Sequence, residues 1–155
     1  MQTRKAVTIA NELVGVVETA SQKLRLLQET EVTLKPAPGK WSKKEILGHL
    51  IDSATNNHQR FVRAQMVEEL TFPGYEQDEW VRRQDYNAKP WNELVELWRL
   101  LNRHVAHIIR NVSEENMQTP CRIGQSATPV EMGAIVEDYL GHMRHHLHQL
   151  GVVNV

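Results

Sequence analysis

One cysteine in 155 residues, Cys121, excludes a disulfide within the chain and makes a reducing compartment the natural expectation. Excess charge of either sign is also missing: 18 Lys and Arg face 19 Asp and Glu, a formal net charge of −1. A nucleic-acid partner is therefore not expected, because a phosphate backbone calls for clustered excess Lys and Arg. The basic runs, Lys43-Lys44 and Arg82-Arg83, are dipeptides of the kind a solvated face carries. No apolar run approaches the roughly eighteen residues of a membrane span, and Asn11, Glu12 and Glu18 interrupt the apolar core that a signal peptide would need. Gly-rich phosphate loops, nucleophile elbows and CxxC pairs do not occur. The expectation is a soluble cytoplasmic protein, one domain over residues 1–155, acting on a small molecule and on neither nucleic acid nor membrane.

Period-two alternation is absent too, while helical spacing recurs in four segments. The first runs from about Ala6 to Gln28, and LKPAPGK ends it because two prolines and a glycine do not continue a helix. In WSKKEI, Ser42 caps the second helix, Glu45 completes a capping box, and Trp41 with Ile46 makes a hydrophobic staple. This helix is expected to reach about Leu70. The connection over 71–90 holds Tyr75, Trp80 and Tyr86, has room for a short helix around Gln77–Arg83, and is expected to fold over one end of the molecule. The third helix spans about Trp91 to Asn111. The fourth starts at TPVE, with Thr128 as cap, Pro129 as first residue and Glu131 completing a second capping box, and stops near Leu150 before Gly151. Four amphipathic helices with no strands between them predict an all-α four-helix bundle.

Histidine is abundant where other reactive residues are not. Four of the eight lie in YLGHMRHHLHQL, residues 139–150. At 100° per residue, His142 and His146 share one face at the edge of the apolar stripe Val136, Leu140, Met143, Leu147 and Leu150. His145 falls off that line and His148 turns away. A pair at i, i+4 can chelate a divalent ion, but histidines also cluster on helices as partly exposed polar residues, and the pair alone favours that plainer outcome. A third ligand must come from another element. His49 on the second helix is the candidate, in a polar stripe with Glu45, Asp52, Ser53, Asn56, Arg60 and Arg63. That stripe either faces solvent or meets the polar edge of the fourth helix around a wet cavity. His58, His104 and His107 are read as exposed or structural. Cys121, in a loop beside Pro120, has no neighbour that would activate it as a nucleophile.

KWSKKEILGHLID followed by YLGHMRHHLHQL resembles the DinB/YfiT-like superfamily of four-helix metalloproteins, with W-S-x-x-E-x-x-x-H opening helix two and H-x-x-H-H-x-x-Q late in the chain. The resemblance spans most of residues 30–150 and implies a divalent metal held by His49, His142 and His146. It also implies a metal-dependent enzyme, since family members of known activity resemble transferases using a low-molecular-weight thiol, and relatives include a mycothiol-dependent maleylpyruvate isomerase.

Three neutral imidazoles leave an ion with an open position, the catalytic pattern, and zinc or nickel is the preferred metal. With no useful cysteine in the chain, a thiol nucleophile would arrive as cosubstrate. Asn56, Arg60 and Gln149 are the expected substrate-binding residues: Arg60, with Arg63, would pair with a carboxylate, while Asn56, Gln149 and Asp52 would orient a ligand or an imidazole. Two function classes remain open. One is a metal-dependent thiol S-transferase, with hydrolysis as a near variant; the other is a non-catalytic metal- or ligand-binding bundle, stress-related in one version. A homodimer through exposed helix faces is compatible with the pattern.

Overall fold

The structure, a computed structural model, describes residues 4–126 and 128–154. Four long helices, α1 (Arg4–Leu24), α3 (Lys43–Arg63), α5 (Trp91–Arg110) and α7 (Met132–Gln149), make a four-helix bundle. Short helices α2 (Glu29–Thr33), α4 (Gln77–Gln84) and α6 (Glu114–Met117) lie in the connections. The connections also contain three strands, β1 (Leu70–Phe72), β2 (Pro120–Ile123) and β3 (Val130–Glu131), which form a small sheet in the order β1-β2-β3. Strands of two to four residues are too short to display a period, which is why none was expected.

Both α1 and α3 pack against α5 and α7. The consecutive long helices α1 and α3 therefore lie across the diagonal of the bundle, as do α5 and α7. A diagonal step must cross the end of the bundle, which accounts for the length of the connections over 25–42 and 111–131. Leu13, Leu24, Leu47, Leu50, Leu94, Trp98, Ile109, Met143 and Leu147 are fully buried between the helices. Burial of each such side chain contributes roughly 1.5–3 kcal/mol.

The capping box at the start of α3 is complete: the Glu45 N–H donates to Ser42 Oγ at 3.2 Å, and Ser42 N–H donates to Glu45 Oε2 at 2.8 Å. The far end of α3 differs from expectation. The helix stops at Arg63, tightens into a 3₁₀ turn over Ala64–Met66, and the chain becomes β1, where Leu70 pairs in parallel with Cys121. Pairing with β2 satisfies the backbone of Leu70–Phe72 in place of further helix.

The start of α7 also moves. Val130 and Glu131 pair with Cys121 and Pro120, and the Met132 N–H donates to the Thr119 carbonyl at 2.9 Å. Helix therefore begins at Met132, and Glu131 caps it by backbone alone. The expected Thr128 cap with Pro129 and Glu131 in the first turn is overridden by this strand pairing. Cys121 sits in the middle strand at 1% exposure, not in a loop. Gly151, at φ 75°, ends α7 in the left-handed conformation, with its N–H on the His148 carbonyl and the Val152 N–H on that of Leu147.

The 71–90 connection folds back onto α3 through α4 and Tyr86. Tyr86 lies against Gly48 so closely that a β-carbon there would fall 2.1 Å from the ring. Gly48→Ala is expected to cost about 1–3 kcal/mol as the ring is displaced. The check is a lower urea midpoint at unchanged m-value; wild-type stability in this variant would contradict the packing.

Candidate metal centre

α3 and α7 bring three imidazoles to one point. His49 Nε2 lies 3.0 Å from His142 Nε2, which lies 3.1 Å from His146 Nε2. One ligand nitrogen from each falls within 4.8 Å of the others. The rings stand nearly perpendicular to one another, with interplanar angles of 78–79°. His49 is 1% exposed, and its polar neighbours Asp52, Ser53, Asn56 and Asn57 are buried with it. From His49 to Asn56 the polar stripe of α3 thus faces inward, while Arg63 at its far end is exposed.

Burial governs the protonation of this cluster. It pushes His49 down to about 3, helped by the charges of His146 and His142. It pushes His142 down to about 4, helped by His146 and His145. His146 is also lowered by burial, with the Gln149 hydrogen bond opposing and His145 adding to the fall. All three are neutral near pH 7, the form that presents a lone pair to a metal. The His146 Nδ1–H donates to Gln149 Oε1 at 2.8 Å, which leaves the His146 Nε2 lone pair for the centre. Tetrahedral ligation at about 2.0–2.1 Å sets ligand nitrogens about 3.3 Å apart, close to the 3.0 and 3.1 Å seen. The donor set fits a divalent ion.

Other residues frame the centre. The Trp41 ring lies 5.0 Å from that of His49. One turn along α3, Asp52 Oδ1 accepts from Tyr86 OH at 2.6 Å and from Gln84 Nε2 at 2.7 Å. Burial pushes the Asp52 carboxyl up, and these two hydrogen bonds pull it back down. Helix α4 separates two surface depressions. The larger, about 1070 Å³, is lined by Tyr75, Trp80, Arg83 and Gln84; the smaller, about 530 Å³, by Lys40, Trp41, Asp78 and Gln149. The smaller one abuts the histidines, since Trp41 touches His49 and Gln149 holds His146.

Of the expected substrate-binding residues, Gln149 holds the His146 imidazole and also lines the smaller depression. The Asn56 amide is turned onto its own helix, donating to the Asp52 carbonyl at 2.9 Å. Arg60 is half-buried with its guanidinium over the Phe72 ring, whereas Arg63 is exposed and bonds Gln59. His145 and His148 are exposed, the latter bonded to the Val153 carbonyl at 3.3 Å. His58, His104 and His107 form a separate row of rings between α3 and α5. The Gln84 and Tyr86 contacts with Asp52 had no signal in sequence, because they depend on the path of the 71–90 connection.

Residues 13–150 match the family model of the DinB superfamily. Two Oceanobacillus iheyensis proteins named putative metal-dependent hydrolases, OB0782 and OB0413, are 26% and 24% identical over 146 and 153 residues. The alignments cover 90% and 95% of this chain and 82% and 87% of those proteins. The solved structure of YfiT from Bacillus subtilis matches with a TM-score of 0.81 at 16% identity, over 95% of this chain and 84% of that one. A mycothiol-dependent maleylpyruvate isomerase matches with a TM-score of 0.75 at 16% identity, over 100% of this chain and 63% of its own. These structural likenesses establish the fold.

A histidine whose pKa falls on folding binds more protons unfolded than folded between the two values, so stability rises with pH across that window. For His49 the window runs from about 3 to the ordinary 6.5. Chelator-treated protein is therefore expected to be at full stability above that range and to lose it steadily as pH falls below 6.5, with His49→Gln flattening the slope. Urea midpoints between pH 7 and pH 5 test this, and a flat wild-type profile would contradict it.

Proposed function

The chain belongs to the DinB superfamily, and on that premise we propose that it is a divalent-metal-dependent enzyme joining a low-molecular-weight thiol to an electrophilic small molecule. The observation that carries this reading is the convergence of three neutral imidazoles with no carboxylate or thiol joining the group among the described residues. Such a set leaves a position open for a reactant, where a closed structural site would use a fourth protein ligand. His49, His142 and His146 would hold the ion, zinc or nickel by preference, and when bound it would supply Lewis acidity that makes a thiol or water nucleophilic near neutral pH.

The chain's own residues prepare this. Gln149 fixes the tautomer and direction of His146, and Trp41 packs against the His49 ring. Asp52 fastens Gln84 and Tyr86, and with them α4, beside the centre. Cys121 does not compete as nucleophile: it is buried in β2, bonded to the Thr119 carbonyl at 3.4 Å, and burial pushes its thiol up. The thiol must then come from outside. A related fold that depends on mycothiol supports this choice. The names of the two Oceanobacillus iheyensis proteins favour a second reading, hydrolysis, in which water takes the place of the thiol.

Purified protein is expected to hold about one divalent ion per chain, as a single three-ligand site requires, and His49→Ala or His142→Ala to lose it. Full metal content in both variants would remove the site assignment. Thiol consumption should then be followed across several small thiols and electrophiles, with metal-loaded and chelated samples compared. Metal-dependent consumption supports transfer; metal-dependent turnover of esters or amides without thiol supports hydrolysis; inactivity across both panels supports a binding protein.

A further inference from the structure

Arg60 is a half-buried cation without an anion. Its Nε has neither solvent nor a hydrogen-bond acceptor, and its Nη1 reaches only Asn57 Oδ1, at 3.5 Å. No carboxylate pairs with it among the described residues. The Phe72 ring lies 5.5 Å beneath the guanidinium, and its titratable neighbours are the Tyr75 phenol and the Cys121 thiol, both kept neutral by burial. A guanidinium does not shed its proton, so burying it unpaired is a standing cost to the fold. The contrast with Lys44 is direct. That buried ammonium is matched by Glu29 and by the Asn87 carbonyl at 3.2 Å. Where a buried cation is structural, this fold provides its partner.

The position of Arg60 gives this cation a use. It follows His49 by eleven residues, three helical turns, and so lies on the same face of α3 within about 20° and about 16 Å along the axis. Its Nη1 reaches back one turn along α3, to Asn57, on the side of the histidines. Ser53 and Asn56 occupy the turns between and are buried. Tyr75, its phenol neighbour, lines the depression of about 1070 Å³ on the outer side of α4.

We propose that Arg60 anchors the carboxylate of a small organic acid whose reacting group reaches the three histidines, an assignment that rests on the enzymatic reading above. The planar fork of a guanidinium matches a carboxylate with two parallel hydrogen bonds, one of them from the free Nε–H. The carboxylate belongs either to the thiol or to the electrophile, and the test separates the two.

Two matched pairs serve as probes: N-acetylcysteinylglycine with its carboxamide, and cinnamate with cinnamamide. With metal-loaded protein, at least one acid is expected to bind tenfold or more tightly than its amide by calorimetry. The pair that shows the preference identifies which reactant carries the carboxylate. Arg60→Gln should bring that acid down to the affinity of the amide, while Arg60→Lys keeps part of the difference. In wild-type protein, the Arg60 Nε–H resonance should shift with the acid and stay in place with the amide, a readout that does not depend on a variant folding. Equal affinities within both pairs, a preference that survives Arg60→Gln, or an unmoved Nε–H resonance would overturn the assignment. An acid preference that persists while no thiol is consumed leaves Arg60 as an anion anchor and removes S-transfer. Metal-dependent thiol consumption with no acid preference does the reverse.

Discussion

A row of polar side chains turned into the protein along α3 is the constraint to which the surrounding structure responds. His49, Asp52, Ser53, Asn56 and Asn57 are all less than a tenth exposed, and buried polar groups must find partners or destabilise the fold. Some partners come from α3 itself, as when the amides of Asn56 and Asn57 donate to carbonyls one turn back. Others come from a distance: α7 brings two histidines to His49, and the 71–90 connection brings Gln84 and Tyr86 to Asp52. The close approach of Tyr86 needs a residue without a side chain, and Gly48 provides it. An apolar α3 would need none of these arrangements.

The unmatched atoms fall on the same face. His49 Nδ1, Asp52 Oδ2 and Arg60 Nε are all buried and lack partners. A fold that answers the rest of the row so thoroughly leaves unanswered these three atoms, one of them on the histidine cluster itself. Unmet hydrogen-bonding capacity in a small region is a feature of sites that complete themselves with a ligand. Trp98, the remaining residue with such an atom, belongs to the hydrophobic core and lies on α5.

Much of this was legible in sequence because it depends on local rules. Helical phase separates His142 and His146 from His145 and His148, and it places His49 in line with Ser53, Asn56 and Arg60. The cap at Ser42 and the stop at Gly151 rest on interactions within a few residues. What was not legible depends on distant pairing. The β1–β2–β3 sheet joins the segment after α3 to the segment before α7, and this pairing ends α3 early and starts α7 late. No periodicity in Leu70–Phe72 or Val130–Glu131 announces a partner fifty residues away in the first case or across a short turn in the second. Likewise, the polar row on α3 has the same sequence whether it faces solvent or the core. Only the position of α7 and α4 decides that.

The diagonal topology explains why the histidine cluster is drawn from α3 and α7. α3 contacts α7 directly, whereas the buried residues of α5 are apolar apart from Asn102. Asn102 is occupied, accepting from the Tyr139 hydroxyl of α7 and donating to the Trp98 carbonyl of its own helix. The cluster is thus confined to the α3–α7 seam, with α4 and Trp41 on its outer side. A seam of this kind can hold a ligand set rigidly on two long helices while leaving access to short, exposed connections. The three histidines are set by the packing of two long helices, while Tyr75, Trp80 and Lys40, which line the depressions on either side of α4, belong to the shorter connecting segments, where variation in a fold is tolerated best.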